Sequence, residues 1–254
     1  MKTRHAVLWI SIIVVASGIL FVFTNGHRSE GNGTILLNGV PAGATIFLDN
    51  KREKRVDDSL VPRALTDLSI GTHTVVVAKD GYWPWSKKIV VAHNESISLN
   101  VFVIAQEPAR EIIKLTDKRY QTIRTAVEAY KLPHEPYPLT SEDGTTNVWA
   151  TDTAILARWV SMEKPNAPFC ITGVCDTTLT VLQIDLPIRD LAFLPARNDI
   201  IVFSAQNGIF ALELDKRGTQ NFEPIYLGVA PEFALLEKGV LAVIDEKILF
   251  LIHF

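Results

Sequence analysis

Cysteine is nearly absent: Cys170 and Cys175 are the only two in 254 residues. Two thiols cannot build a structural zinc site without two histidines beside them. The six histidines, at positions 5, 27, 73, 93, 134 and 253, are scattered without ligand spacing. An excess of basic charge is also missing, since 25 Lys and Arg face 28 Asp and Glu for a net charge of −3. That balance removes the basis for nucleic-acid binding, which calls for a basic domain. No G-x-S-x-G elbow, H-E-x-x-H pair, phosphate-cradling G-x-x-x-x-G-K-[ST] or G-x-G-x-x-G turn occurs. No catalytic residue, metal ligand or cofactor-binding residue is therefore assigned, and no cofactor is expected. Acidic residues such as Glu142-Asp143 and Asp245-Glu246 sit beside Gly or Lys at turns. Solvated turn carboxylates are their expected role.

One long hydrophobic run is present. Residues 6–24 read AVLWISIIVVASGILFVFT without a charge. Nineteen helical residues reach roughly 28 Å, close to the hydrocarbon thickness of a bilayer at about 30 Å. Lys2 and Arg4 precede the run, whereas Arg28 and Glu30 follow it and cancel. Positive residues stay on the cytoplasmic side. The pattern predicts residues 1–5 in the cytoplasm, a single membrane-spanning helix over 6–24 in contact with lipid, a spacer over 25–32, and the rest outside. A cleaved signal peptide is the rival reading, but its apolar region is shorter and exits through small residues. Phe21, Val22 and Phe23 stand there instead.

Outside the cytoplasm, the C-I-T-G-V-C spacing of Cys170 and Cys175 predicts a local disulfide, with Gly173 helping the loop to turn. Free thiols and a redox or metal role are the alternatives, and a cytoplasmic body would favour them.

Residues 33–104 read as short β-branched strands at 34–38, 44–48, 74–79, 88–91 and 97–104. Turn signals separate them at Asn38-Gly39, Pro41-Ala42-Gly43, Asp49-Asn50, Asp80-Gly81 and His93-Asn94. The spacing predicts a small antiparallel β-sandwich. Lys51-Arg52-Glu53-Lys54-Arg55, flanked by Asp49, Asp57 and Asp58, reads as a solvated loop, with an anionic cell-surface polymer as a sharper alternative. Tyr82, Trp83 and Trp85 cluster around Pro84. They form either a surface aromatic contact for sugar or membrane, or a packing cluster over the sheet edge.

These residues resemble a PEGA domain. The turn that names the family reads Pro41-Ala42-Gly43-Ala44 here, followed by Thr45-Ile46-Phe47-Leu48 and Asp49-Asn50. A turn-proline, Pro62, leads to Leu68-Ser69-Ile70-Gly71, and the G-x-H-x-V-x-V-x-K-x-G-Y sequence is complete from Gly71 to Tyr82. Ala42 stands where the family has Glu, a change confined to a turn surface. The resemblance implies a non-catalytic β module of envelope and surface proteins in a bacterial or archaeal setting. It transfers no active-site residue, and His73 is expected to be a structural residue beside a turn.

Residues 105–146 read as a linker. Tyr120, Ile123, Val127 and Tyr130 recur at helical spacing and predict a short helix near 117–130. Three prolines over 132–140 exclude helix there. From 147 onward ten strands are expected, at 147–150, 155–160, 179–184, 189–193, 200–204, 209–214, 224–227, 232–235, 239–244 and 247–254. The segment 188–218, with turns at 195–199 and Asn207-Gly208, resembles β-propeller blades of the WD-like type at the level of pattern alone. Ten strands make about two and a half blades, fewer than closure requires. An incomplete propeller, a shorter sandwich and a share of an oligomeric ring all fit. Open edges would favour self-association or a partner chain.

The fold class expected is thus mainly β: one membrane helix, a PEGA-like sandwich over 33–104, a linker with one helix, and a propeller-like domain over 147–254. The function expected is non-enzymatic, a membrane-anchored module for binding or scaffolding at the cell envelope, with an envelope polymer or protein as partner. A sensor or assembly subunit working through a membrane partner, and a glycan-acting envelope enzyme, are the alternatives from other classes.

Overall fold

The computed structural model describes residues 33–57, 62–165, 167–171, 174–237 and 239–253. The run at 6–24, the spacer at 25–32 and Gly173 lie outside them. Among the described residues no helix is long and apolar enough to cross a membrane. The described chain is mainly β, with one α-helix.

Seven strands form the first half: β1 (Gly33–Asn38), β2 (Thr45–Leu48), β3 (Lys51–Arg55), β4 (Arg63–Leu68), β5 (Gly71–Ala78), β6 (Trp85–Val91) and β7 (Ser96–Asn100). They make a three-stranded sheet, β4-β1-β7, and a four-stranded sheet, β3-β2-β5-β6. Alternation places Val75 and Val77 of β5 and Ile35 and Leu37 of β1 in one core. Three details differ from the sequence expectation. β1 pairs with β7 in parallel, because the chain crosses from one sheet to the other between β6 and β7. The basic stretch Lys51–Arg55 is edge strand β3 and no loop, paired to β2 around a two-residue turn at Asp49 (φ 49°) and Asn50 (φ 64°). Charged residues are tolerated on an edge, where they discourage pairing with other chains. Finally, β4 lies between the turn-proline Pro62 and Leu68, where no strand was expected.

The second half begins with β8 (Ala109–Ile112), inside the segment read as a linker, and α1 (Tyr120–Glu128). Then follow β9 (Leu139–Thr140), β10 (Thr146–Ala150), β11 (Ala154–Trp159), the hairpin β12 (Cys170–Ile171) and β13 (Val174–Cys175), and β14 (Thr178–Gln183). The chain ends through β15 (Ile188–Phe193), β16 (Ile200–Ala205), β17 (Gly208–Glu213), β18 (Phe222–Leu227), β19 (Glu232–Glu237), β20 (Val240–Asp245) and β21 (Ile248–His253). The ten expected strands are all there. Four more come from segments too short or too proline-rich to show the β period. β8 and β9 complete two of the sheets, so two and a half blades become three four-stranded sheets: β14-β11-β10-β9, β15-β16-β17-β18 and β19-β20-β21-β8. These are separate sheets, without a closed propeller. The hairpin turn expected at Asn207-Gly208 lies one residue earlier, since Ala205 pairs with Gly208.

The three sheets stack face to face. β16 reads Ile-Ile-Val-Phe-Ser-Ala and is buried throughout. Its Ile201, Phe203 and Ala205 pack in one cluster with Val148, Ile155 and Ala157 of the first sheet. Ile200 and Val202, one step out of phase, pack with Phe233, Leu241 and Phe250 of the third. A strand covered on both faces has no polar phase, which explains its continuous apolar run. The outer face of the third sheet, with Ala242, Leu249 and Leu251, is covered by Tyr120, Ile123 and Val127 of α1.

Candidate functional site

The first half docks on one end of the middle sheet. Two turns of that sheet, 194–199 and 214–221, meet β6 and the chain at 98–101 of the sandwich. The two halves share one apolar cluster, in which Trp85, Leu99 and Val101 join Ala192, Ile200, Ile209 and Phe233. Beyond Val101 the chain does not loosen. Trp83 N–H donates to Ile104 O at 2.9 Å and Gln106 N–H to Gly81 O at 2.9 Å, and Phe102 and Ile104 are buried.

Charged groups occupy the heart of this junction. On β6 the inward positions are Trp85, Lys87, Ile89 and Val91, so strand alternation points Lys87 into the core. Lys87 is fully buried. Its Nζ donates to Glu213 Oε2 at 2.9 Å and to the carbonyl of Asp215 at 2.6 Å, and lies 3.7 Å from Asp215 Oδ2. Asn221 Nδ2 also donates to Glu213 Oε2, at 2.8 Å, while Asn221 Oδ1 accepts the Ser86 N–H at 2.9 Å. Arg217 grips Asp215, with Nη2 2.7 Å from Oδ2, and reaches Ser98 O at 3.3 Å. The four charges of Lys87, Arg217, Glu213 and Asp215 cancel. Burial pushes the Glu213 carboxyl above its ordinary value, although Lys87 and Asn221 oppose this. Asp215 resists the same burial, held low by Arg217 and Lys87.

Two further contacts fix the fit. Arg197, paired with Asp199 at 2.6 Å, donates Nη1 to Val101 O at 3.1 Å and Nη2 to Asn100 O at 3.4 Å. Gly218 (φ +64°) lies so close to β6 that a Cβ there would stand 1.6 Å from Lys88 O. A cavity of about 530 Å³ opens at the rim of the junction, lined in part by Asn38, Asn100, Asp143, Arg197 and Asn198. The Asn198 amide donates to Asp143, which also accepts bonds from Ser141 and Thr145 and is held down at about 2.

Other polar groups of the body serve the fold. Asp190 is buried and its carboxyl is pushed up to about 6 by desolvation; it accepts Ser204 Oγ at 2.5 Å and the Phe233 N–H at 3.1 Å. It thereby ties the middle sheet to the third. His73 is buried with both ring nitrogens engaged, Nδ1 2.7 Å from Asp49 Oδ2 and Nε2 2.8 Å from Ser69 O. That is the turn-adjacent structural position the sequence indicated. Among the described residues no group of three or more His, Cys, Asp or Glu is arranged to hold a metal ion.

Cys170 and Cys175 are directly opposed in the β12–β13 hairpin and form a disulfide with an S–S distance of 2.07 Å. The aromatic cluster requires a correction. Trp85 is 1% exposed and belongs to the core, because it shares the inward phase of β6. It is no surface contact. Trp83 is half-buried and packs against the same core, and Tyr82 is half-buried with Lys79 Nζ 4.4 Å above its ring. The indole N–H groups of Trp83 and Trp85 are buried without a hydrogen-bond partner among the described residues.

Lys87 is not among the residues singled out from the sequence. The signal was available: in Trp-Ser-Lys-Lys-Ile-Val-Val the first lysine falls in phase with Trp85, Ile89 and Val91. A charge in the buried phase of a strand demands a buried partner.

Residues 32–106 match the PEGA domain family. The match spans all seven strands of the sandwich and the stapled segment that leaves it. A search of curated proteins finds no match to this chain.

Proposed function

We propose that this chain is a non-enzymatic binding or scaffolding body held outside the cell membrane by the helix of residues 6–24. The observation that carries this reading is a PEGA domain at residues 32–106, preceded across a short spacer by an uncharged run of nineteen residues. The Cys170–Cys175 disulfide supports an oxidising exterior. The shifted carboxyls support a structural role for the body, since Asp190, Glu213 and Asp215 are each engaged in contacts between sheets or between halves. The cavity beside Asn38, Asn100 and Asn198 offers amides and a carboxylate suited to a hydroxyl-rich envelope polymer.

The test is cross-linking on intact cells of the native host, followed by recovery of the full chain, alongside a deletion strain. Recovery of an envelope polymer or protein, with weakened envelope integrity in the deletion strain, is expected. A body that cross-links to nothing, in a strain whose envelope is unaffected by the deletion, contradicts the proposal.

A further inference from the structure

We infer that the buried Lys87–Glu213–Asp215 cluster is a register key that locks the PEGA module to the sheet stack as a single rigid strut. The inference is independent of where the body is displayed.

The apolar contact between the halves is non-directional. Trp85, Leu99 and Val101 would gain similar burial in neighbouring orientations. Lys87 would not. Any other docking would place its ammonium against apolar surface, and only the observed one supplies Glu213 Oε2 at 2.9 Å and the Asp215 carbonyl at 2.6 Å. Burying an unpaired charge is far costlier than losing some apolar contact. The close approach of Gly218 to Lys88 O rules out sliding in the same direction. Rotation is opposed by Arg197 and Arg217, which hold the carbonyls of Asn100, Val101 and Ser98 from two separate turns. No hinge relieves these restraints. The chain from 101 to 106 is stapled to Asn38, Gly81 and Trp83, and β8 then enters the third sheet. A displacement of the stack is therefore delivered undiminished to the PEGA module.

The experiment measures the distance between spin labels at Thr72→Cys on the sandwich and Gln183→Cys on the stack, by pulsed electron resonance on the full chain with its disulfide intact. One narrow distance distribution is expected, unchanged in 1 M salt because buried pairs escape screening. Lys87→Ala should at least double its width by leaving the buried Glu213 carboxylate without its cation. Lys87→Met combined with Glu213→Leu should restore the narrow distribution by filling the junction with apolar groups. If Lys87→Ala does not fold, Gly218→Ala provides the same reading through steric displacement. A distribution that is already broad in the unsubstituted chain, or one that neither Lys87→Ala nor Gly218→Ala widens, overturns the inference.

Discussion

Ser204 donates its hydroxyl to Asp190 at 2.5 Å, in the seam between the middle and third sheets, where both residues are buried. The carboxyl is pushed up to about 6 from an ordinary 3.8, with desolvation as the largest cause. The folded state thus holds a proton on Asp190 that the unfolded chain releases between those two values. Stability contributed by that proton is present below pH 3.8 and lost as pH rises through about 6. The loss amounts to about 3 kcal/mol at neutral pH. Asp190→Asn keeps an acceptor for Phe233 N–H and an amide for Ser204. It is expected to match or exceed the original chain in urea midpoint at pH 7 and to flatten the pH dependence of that midpoint between pH 4 and 6.

Removing one member of the junction cluster should cost more than removing two. Lys87→Ala is expected to lower unfolding stability by about 3–5 kcal/mol, the usual cost of an orphaned buried partner. Lys87→Met with Glu213→Leu should recover most of that loss, because the desolvation of both charges disappears with them. Denaturant unfolding of the two variants provides the comparison.

His73 and Asp49 give a second pH-dependent element, on the strand beside Lys87: His73 pairs with Ile89, and Val75 with Lys87. Burial lowers the His73 imidazolium, but its bonds to Ser69 O and Asp49 outweigh this and raise it above 6.5. Asp49 shifts down: burial raises it, and the Thr74 N–H and His73 together prevail. The histidine contribution is present below pH 6.5 and fades as pH rises through the raised value. The aspartate contribution is present above pH 3.8 and fades as pH falls below it. Asp49→Asn preserves the positive φ of the turn, which asparagine tolerates. It should return the His73 titration, followed by NMR of the ring, toward or below its ordinary value.

Two glycines with positive φ separate backbone strain from steric exclusion. Gly43 (φ +80°) has nothing within 4 Å of a added Cβ, so Gly43→Ala should cost about 1 kcal/mol from conformation alone. Gly218→Ala adds a collision with the Lys88 backbone and should cost about 3 kcal/mol or more. Thermal or urea unfolding of the two alanine variants tests the difference.

Five strands of the sandwich and the ten long strands of the stack are legible from sequence because their side chains alternate, or are apolar throughout, over four or more residues, whereas β3 and β4 are not. Cys170 and Cys175 are legible from spacing. β8 and β9 are not, since a charged Ala-Arg-Glu-Ile stretch and a two-residue strand after three prolines carry no period. The parallel pairing of β1 with β7 depends on how the chain crosses between sheets, which no local pattern encodes. The phase of Trp85 and Lys87 was readable, but their meaning was not: a sheet that ends its module at β6 leaves that inward face to be completed by turns more than a hundred residues later.

Protease accessibility on intact cells, combined with thiol labelling, probes whether the body is displayed in an oxidising exterior. Residues beyond the 6–24 run should be digested by protease added outside, and Cys170 and Cys175 should take label only after reduction. A body protected from external protease, or thiols that label freely without reductant, would place residues 25–254 inside the cell instead.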